Sequence, residues 1–342
     1  MAACDHDGKM EQPAVSGNAT CTEADAKPKW VIPYIDQPLS FWQSLHEQFG
    51  GHISAVYFPL PGNEYGSGRP RQPGEHLGEF LRRSPFELSV LVNAIVMPRP
   101  LAEMAPIILG KLQGLAAIGV KEATVTDLLL ARQIREKVKG LRISMSVLAD
   151  ICSAEQVEMI KDTCDTLVPS SRVMRDLPSL SILRKAFPGR IRLMVNEACL
   201  PGCPFRTQHF YEMASAATAP RSLCAELLSL KPWLRLTGSW VLPQHLHLYD
   251  GLYDEAKLAG RVTLRDPAKY RRVLDAYVHR RPLSPDAIGG GPASVQTAME
   301  ISEEFFRATL HCGRQCHTCS LCRDTCEGIS QGQKGMPRDA IE

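Results

Sequence analysis

The residues of this sequence with the clearest capacity for chemistry are its cysteines, eight of which crowd into residues 199–326. They are Cys199, Cys203, Cys224, Cys312, Cys316, Cys319, Cys322 and Cys326. The first two form a CxxxC pair and the last five a CxxxCxxCxxCxxxC run. At such spacings thiolates from short loops converge on an iron–sulfur cluster or a structural zinc ion. We therefore expect a metalloprotein with these eight cysteines as ligands.

Disulfides are the alternative use of dense cysteines, and they are typical of small secreted chains. This chain has 342 residues and 44% hydrophobic content, enough for a large core. Residues 1–30 are polar and lack the apolar run of a signal peptide, so we expect a disordered arm and a reducing, cytoplasmic location. Cys4 and Cys21 fall in the arm. Cys152 and Cys164 fall on a predicted helix, where a cysteine usually acts as a small apolar residue.

Charge and hydropathy restrict the partners. The formal net charge of +2 comes from 39 basic and 37 acidic side chains, which gives no general attraction for nucleic acid. A local basic segment at 269–272 and 279–281 is typical of an exposed helix face, although it leaves RNA open as an alternative partner. No stretch reaches the roughly twenty apolar residues that cross a bilayer. We expect a small-molecule substrate and no membrane association.

The elements that must position the cysteines follow an alternating pattern. Strand-like apolar runs occur at 52–58, 88–96, 122–126, 141–147, 166–169, 190–196, 234–238 and 255–259. Helices are predicted at 102–118, 128–139, 154–164, 175–187 and 243–251, with a further amphipathic segment opening at Pro267. Short strands that are apolar on both faces are typical of buried parallel sheets. Eight alternations predict an α/β fold of the (β/α)8 barrel type, with an open doubly wound sheet as the alternative.

The chain divides into three parts on this interpretation: a disordered N-terminal arm (1–30), the barrel (31–288) and a C-terminal extension (289–342). The glycine-rich stretch at 289–292 marks a linker in the extension, and a helix over 295–310 leads into the cysteine tail. Chemistry in a barrel gathers where the strands end, because the βα loops meet there. Cys199 follows a predicted strand directly, so a cluster on Cys199, Cys203 and Cys224 is expected over the barrel mouth.

Polar residues near the predicted strand ends are the other site candidates. Arg206 and His209 follow the CxxxC pair within one or two helical turns and could meet an anionic substrate, or equally hydrogen-bond to the cluster surroundings. Glu197 is a candidate general acid or base, with a salt bridge as the alternative. Asp127 is a candidate substrate contact or a helix cap. His245 and His247 are expected at the surface, and Asn93 and Asn196 at the rim.

The block 195–206 (VNEACLPGCPFR) followed by His209 resembles the family catalogued as U-thirty-two (collagenase-like) peptidases. Four further segments are similar to that family: 124–127, 144–149, 242–246 and 257–261. The resemblance spans roughly residues 50–326. It implies a barrel protein with a four-iron four-sulfur cluster, in a family where several members serve oxygen-independent hydroxylation of ubiquinone precursors or RNA bases. The familiar Arg-Pro-Glu-Asp is replaced here by 241–245 (VLPQH), and the tail has five cysteines.

By this resemblance, Cys199, Cys203 and Cys224 bind a [4Fe–4S] cluster, and the fourth ligand is a tail cysteine or a non-protein group. One or two clusters fit the count, with zinc at the tail as the alternative. The expected function is oxygen-independent hydroxylation, or a related modification, of a small or aromatic metabolite. The expected catalytic residues are Glu197, Arg206 and His209. The expected substrate contacts are Tyr57, Asn93, Asp127, Asn196 and Arg261.

Three alternatives remain from the sequence: a non-catalytic iron–sulfur subunit beside a homologous partner, RNA-base modification, and peptidase activity. Peptidase activity has the weakest support from the residues. The sequence has no HExxH, no GxSxG and no compact pair of carboxylates. A cysteine nucleophile would need a thiolate that no metal binds.

Overall fold

Eight short parallel strands, each paired with the next, close into a barrel in the order β1 to β8, and β8 returns to pair with β1. The computed structural model describes residues 28–61, 74–97, 99–197, 199–214, 223–260, 263–288 and 301–330. The strands are β1 (Lys29–Pro33), β2 (Ile53–Pro59), β3 (Leu88–Val92), β4 (Glu122–Val125), β5 (Arg142–Met145), β6 (Thr166–Leu167), β7 (Arg190–Met194) and β8 (Glu255–Lys257). The predicted (β/α)8 barrel is therefore confirmed.

Helices surround the barrel and continue into the C-terminal extension. They are α1 (Leu39–Phe49), α2 (Leu77–Arg83), α3 (Leu101–Ala117), α4 (Leu128–Lys137), α5 (Ala154–Ile160), α6 (Leu177–Ala186), α7 (Arg206–Ala214), α8 (Leu223–Leu230), α9 (Pro267–Val278), α10 (Glu303–Leu310) and α11 (Leu321–Ser330). Several begin at a side-chain cap, and the predicted capping box of Ser153 and Gln156 is present at α5. In the described part of the chain, no helix has the length and apolar character that a bilayer crossing requires.

The strand prediction was wrong in two places. The run at 234–238 is mostly part of a 3-10 helix, Pro232–Thr237, which begins at a proline. No strand is predicted before 52–58, and Lys29 and Trp30 are placed in the arm because they follow a long polar stretch, whereas both belong to β1. Trp30 is buried and its ring packs 5.4 Å from that of Tyr277 on α9. Residues 1–27 and 289–300 lie outside the described residues, as do Cys4, Cys21 and the expected linker.

The barrel interior combines a small apolar cluster, Val31, Ala55, Tyr57 and Leu91, with buried charged groups. Side chains of alternate residues on each strand point inward, and among them Arg192 on β7 is bracketed by two carboxylates. Its guanidinium donates to Glu122 at 2.7 and 2.8 Å and to Glu255 at 2.7 and 2.9 Å. Above this ion triad, the Lys257 ammonium lies 4.3 Å from the centre of the Tyr57 ring. The apolar core of the protein is therefore mainly the layer between strands and helices.

The C-terminal extension is anchored to the barrel by an aromatic contact. Phe306 on α10 is fully buried, and its ring lies 4.6 Å from that of His245 and 6.3 Å from that of Trp240. His245 belongs to the 3-10 helix Pro243–Tyr249, a segment where the sequence predicted an ordinary helix. This contact places the cysteine tail, which follows α10 directly, against the rim of the barrel.

Candidate functional site

The loop that follows β7 carries the CxxxC pair across the barrel rim. The loop is held by backbone hydrogen bonds, from Val241 to the carbonyl of Val195 at 2.6 Å and from Ser239 to the carbonyl of Cys199 at 3.3 Å. Gly202 has a φ of 66°, a left-handed conformation that glycine adopts without strain. The loop therefore turns back on itself between its two cysteines, as a ligand loop must.

A cavity of about 260 Å³ lies between this loop and the cysteine tail. Its lining includes Leu200 and Pro201 from the loop, and three thiols from the tail, Cys312, Cys316 and Cys322. The remaining wall is formed by Arg175, Leu234, Thr237, Thr309 and Arg314. The structure therefore brings three of the predicted ligands together beside the CxxxC loop, although they lie more than a hundred residues further along the chain.

The other clustered cysteines lie on neighbouring elements. Cys224 is on α8, and Cys326 is on α11 with Cys322. Both helices contact the 3-10 helix Pro232–Thr237, which passes beside the cavity. The short helix that was mistaken for a strand thus joins the barrel cysteines to the tail cysteines.

The tail thiols affect one another electrostatically. Burial raises the pKa of Cys322 to about 12, against the attraction of Arg175, and the nearby Cys316, Cys312 and Cys319 raise it further. Burial also raises the pKa of Cys316, with Cys312 and Cys319 adding to the rise. All ten described cysteines are thiols and none is in a disulfide. A group of mutually repelling thiols is the kind of site at which a metal cation can replace the protons.

The thiols around the cavity could hold a multi-iron cluster. Within the described residues, no three His, Cys, Asp or Glu side chains are arranged to hold one metal ion. The trio Cys199, Cys203 and Cys224 is therefore not preassembled as a single-ion site. In a four-iron cluster each thiolate bonds a different iron, so its sulfurs stand further apart and enclose a volume. Three thiols around a cavity have that form, and the ligand assignment stays a prediction.

Arg175, a residue that the sequence did not single out, is the charged group most deeply buried beside this cavity. It lies in the loop between β6 and α6, and its guanidinium packs against the rings of Trp240 and Phe306 at 4.8 and 4.7 Å. It donates to the carbonyls of Leu236 at 2.7 Å and Gly238 at 3.1 Å. Its position after a strand end was the one available signal, since rim loops carry the chemistry of a barrel.

The three predicted catalytic residues lie in the CxxxC loop or on α7, which follows it, and each has a structural contact. Glu197 accepts a hydrogen bond from the amide of Cys199 at 3.3 Å. Arg206 is buried, donates to the hydroxyl of Ser171 at 2.7 Å, and begins α7. His209 is half-buried on α7, with its ring 6.0 Å from that of Phe210. Their catalytic roles stay predictions.

Four of the five predicted substrate contacts lie at the carboxyl ends of the strands, and each has an identifiable structural bond. Tyr57 donates to the carbonyl of Leu258 at 2.9 Å. Asn93 donates to the hydroxyl of Ser146 at 3.3 Å. Asn196 is buried and binds the backbone of Ala259 and Ile288.

Asp127 accepts from the amide of Leu130 at 2.9 Å and is the N-cap of α4, which was one of its two sequence interpretations. The fifth substrate contact, Arg261, lies outside the described residues. Whether any of the five also binds a substrate stays a prediction.

Two other expectations change with the structure. His245 is not a surface residue: burial lowers its pKa to about 4, and its ring packs on Phe306. His247 is half-exposed and lies 3.3 Å from Glu303. On the basic segment, Arg280 pairs with Asp250 and Arg281 with Asp275. These ion pairs reduce the positive charge that an RNA backbone would meet.

This chain is similar to known proteins in sequence and in structure. Among curated proteins, an uncharacterized protease of Methanocaldococcus jannaschii is 28% identical over 179 residues, which are 48% of this chain and 51% of the relative. The chain thus spans about half the length of that relative. Among solved structures, a U32 peptidase has 12% identity and a TM-score of 0.50, covering 70% of this chain and 96% of its own. A tryptophan synthase α-subunit from Pyrococcus furiosus has 13% identity and a TM-score of 0.38, covering 74% and 97%.

The family comparison matches the middle of the barrel. The matched residues, 75–172, run from α2 to the loop after β6 and fit the model described as Peptidase family U32. They include Cys152 and Cys164 but none of the eight clustered cysteines. The resemblance stated from the sequence is therefore confirmed over residues 75–172, which are similar to peptidase family U32.

Proposed function

We propose that this protein is an iron–sulfur enzyme that modifies a small or aromatic metabolite without molecular oxygen, by hydroxylation or a related reaction. The observation that carries the proposal is the cavity in which Cys312, Cys316 and Cys322 meet the loop of the CxxxC pair at the barrel rim. A family name alone would support only a peptidase-like barrel. Thiols gathered at the rim add a redox centre where a barrel performs its chemistry.

The cluster would be held by the three cavity thiols, with a fourth ligand from Cys319 or from the CxxxC loop. When bound, it would supply electron transfer or a Lewis-acidic iron. Conversion of C–H to C–OH with water as the oxygen source releases two protons and two electrons. The reaction therefore needs a two-electron acceptor from outside the protein, and Glu197 beside the loop is placed to accept a proton.

Two arginines at the rim are suited to an anionic metabolite. Arg314 lines the cavity and is held by its hydrogen bond to the carbonyl of Arg172 at 2.8 Å. Arg206 follows the CxxxC loop at the start of α7, with its guanidinium 5.3 Å from the centre of the Phe210 ring. Guanidinium groups recognise carboxylates in a bidentate manner, and an adjacent aromatic ring favours a flat substrate. A small aromatic acid is the substrate class that these groups fit.

The test is anaerobic purification followed by iron and sulfide analysis. We expect a brown protein with about four irons per cluster, and loss of most of the iron in Cys312→Ser, Cys316→Ser and Cys322→Ser. Cys164→Ser is the matched control, because Cys164 is buried in the core layer and a burial-raised pKa of about 12 keeps it a thiol. A colourless protein that binds only zinc would refute the proposal.

Electron transfer without catalysis is the second candidate, and one observation favours it. The tail alone carries five cysteines, enough to close a cluster with four protein ligands and leave no iron open. Electron paramagnetic resonance of the reduced protein separates the two candidates. A signal that changes when small aromatic acids are added supports the enzyme, and a signal that stays the same with every acid supports the carrier.

Peptidase activity is tested on the same protein preparations. The loaded protein, the metal-free protein and Cys199→Ser are incubated with denatured casein. We expect no cleavage above background in any of them, because a cysteine nucleophile at this loop competes with metal binding. Cleavage that depends on Cys199 and rises when iron is removed would replace the proposed function with a peptidase.

A further inference from the structure

Arg175 is a buried cation that lacks the partner such a group normally has. Only 4% of its surface is exposed. Its guanidinium donates to the backbone carbonyls of Leu236 and Gly238 and to the hydroxyl of Thr309, and its Nε atom has no hydrogen-bond partner. These acceptors are all uncharged. Burying a charge without a counter-charge is costly, and proteins rarely do so.

The comparison with Arg192 shows how this chain otherwise handles a buried guanidinium. Arg192, also almost fully buried, has two carboxylates, Glu122 and Glu255, within 2.9 Å. Within the residues that the structure describes, no carboxylate lies within ion-pair distance of Arg175. What it faces instead is the cavity that Cys312, Cys316 and Cys322 line.

Resting on the proposed function, we infer that Arg175 is the counter-ion of the metal–thiolate centre and tunes its reduction potential. Thiols are neutral, but thiolates around iron carry net negative charge, and that charge grows by one on reduction. A fixed cation beside the centre favours the more negative state. Arg175 therefore stabilises both the loaded site over the empty one and the reduced cluster over the oxidised one.

The position of Arg175 makes this effect strong and local. The guanidinium is buried, and the rings of Trp240 and Phe306 pack against it at 4.8 and 4.7 Å. Electrostatic interactions are stronger in such surroundings than at an exposed surface. Burial lowers the pKa of Arg175, while Tyr249, Cys322 and Cys312 act in the opposite direction.

Arg175 also joins three segments by hydrogen bonds, so its charge must be separated from its structural bonds. Two substitutions do this. Arg175→Lys keeps the charge and shortens the hydrogen-bonding group, and Arg175→Gln keeps a donor and removes the charge. Arg307→Gln is the matched control, because Arg307 is exposed on α10 and pairs with Glu303 at 2.7 Å.

The first measurement is a redox titration of the reconstituted cluster. At a fixed potential we expect the ratio of reduced to oxidised cluster to fall about tenfold in Arg175→Gln, which is about 59 mV for one electron. Arg175→Lys and Arg307→Gln should stay within about threefold of the parent protein. Equal shifts in the lysine and glutamine variants, or no shift in Arg175→Gln, would overturn the inference.

The second measurement uses Cd²⁺ alone, so that the inference can fail or survive separately from the proposed function. Thiolate-to-cadmium absorbance reports binding to the metal-free protein. Because the cadmium–thiolate complex is more negative than the free thiols, we expect about tenfold weaker binding in Arg175→Gln and near-parental binding in Arg175→Lys.

The two measurements give different results for different failures. A parent protein that binds Cd²⁺ in this charge-dependent way but never assembles iron would sink the proposed function and keep Arg175 as a counter-ion. If the parent assembles an iron cluster, but every variant has the same reduction potential and the same Cd²⁺ affinity as the parent, the proposed function survives and the role of Arg175 is refuted. Binding of neither metal would refute both.

Discussion

Substitution of Arg192 by methionine should destabilise the barrel by about 3–5 kcal/mol, the usual cost of breaking a buried ion pair by removing one partner. Arg192 makes four hydrogen bonds of 2.7–2.9 Å to Glu122 and Glu255. Without it two buried carboxylates face each other across the barrel interior. At an effective dielectric constant of about 20, the attraction between the Arg192 charge and one carboxylate charge about 4 Å away is about 4 kcal/mol, before any relaxation of the structure. Protonation of one carboxylate and entry of water offset part of the loss.

The pH dependence of this loss has a definite sign. In the parent protein burial raises the pKa of Glu122, but the charge and hydrogen bonds of Arg192, with a hydrogen bond from Ser89, outweigh burial and hold the pKa below its usual value. That stabilisation is present above the unfolded-state pKa and is lost as pH falls through the folded-state pKa. In Arg192→Met the strongest of the lowering effects is gone, and burial acts against only the hydrogen bond from Ser89 and the charge of Lys257 among the causes that shift this pKa. The difference in free energy of unfolding between parent and variant should therefore be largest near pH 7 and decrease as the pH is lowered toward 5.

The assay is urea unfolding followed by tryptophan fluorescence, at a series of pH values. Arg83→Met is the matched control, because the Arg83–Glu79 pair is exposed and should contribute under about 1 kcal/mol. A triple variant, Arg192→Met with Glu122→Leu and Glu255→Leu, should recover much of the lost stability. The reasoning is refuted if Arg192→Met costs no more than Arg83→Met, or if its deficit grows as pH falls.

Two further predictions test elements around the site. Asp127→Ala should lower the free energy of unfolding in urea by about 1 kcal/mol, because it removes the cap on the amide of Leu130. Unchanged iron content in this variant would support a role as a cap only. A large loss of the response to substrate would contradict that role. The free energy of unfolding should decrease between about pH 6.5 and pH 4, and it should decrease less steeply in His245→Phe than in the parent protein. Burial lowers the pKa of His245 to about 4, so its proton binds more readily in the unfolded chain and opposes folding throughout that range. A pH profile identical to that of the parent would contradict this origin.

The pattern of apolar residues predicted most of the barrel strands, because these strands are short, apolar and bounded by turns. It failed at β1, where Lys29 and Trp30 follow a polar stretch, so composition favoured an arm over a strand. It failed again at residues 234–238, where LRLTG alternates like a strand but follows Pro232, which begins a 3-10 helix. In both places tertiary packing, including Trp30 against α9 and α8 with α11 against the 3-10 helix, decided the outcome.

The sequence predicted which side chains could bind a metal at the candidate site, but not how the fold brings them together. Cysteine spacing identified Cys312, Cys316 and Cys322, but nothing in the sequence placed them beside Leu200 and Pro201. That placement depends on the docking of α10 through Phe306, a contact between residues distant in the chain. The burial of Arg175 and of His245 could not be predicted for the same reason, since it depends on contacts with Phe306, a residue distant in the chain.

The ion triad inside the barrel has an effect on what an approaching molecule would experience. Among the described residues of this layer, Glu122 and Glu255 carry two negative charges and Arg192 and Lys257 two positive ones, and Arg190 adds a third positive charge at 4.0 and 3.9 Å from the two carboxylates. Opposite charges held close together largely cancel at a distance. The layer is therefore left with a small positive excess, which has the same sign as the guanidinium groups around the upper edge of the barrel and adds to their attraction for a negatively charged molecule.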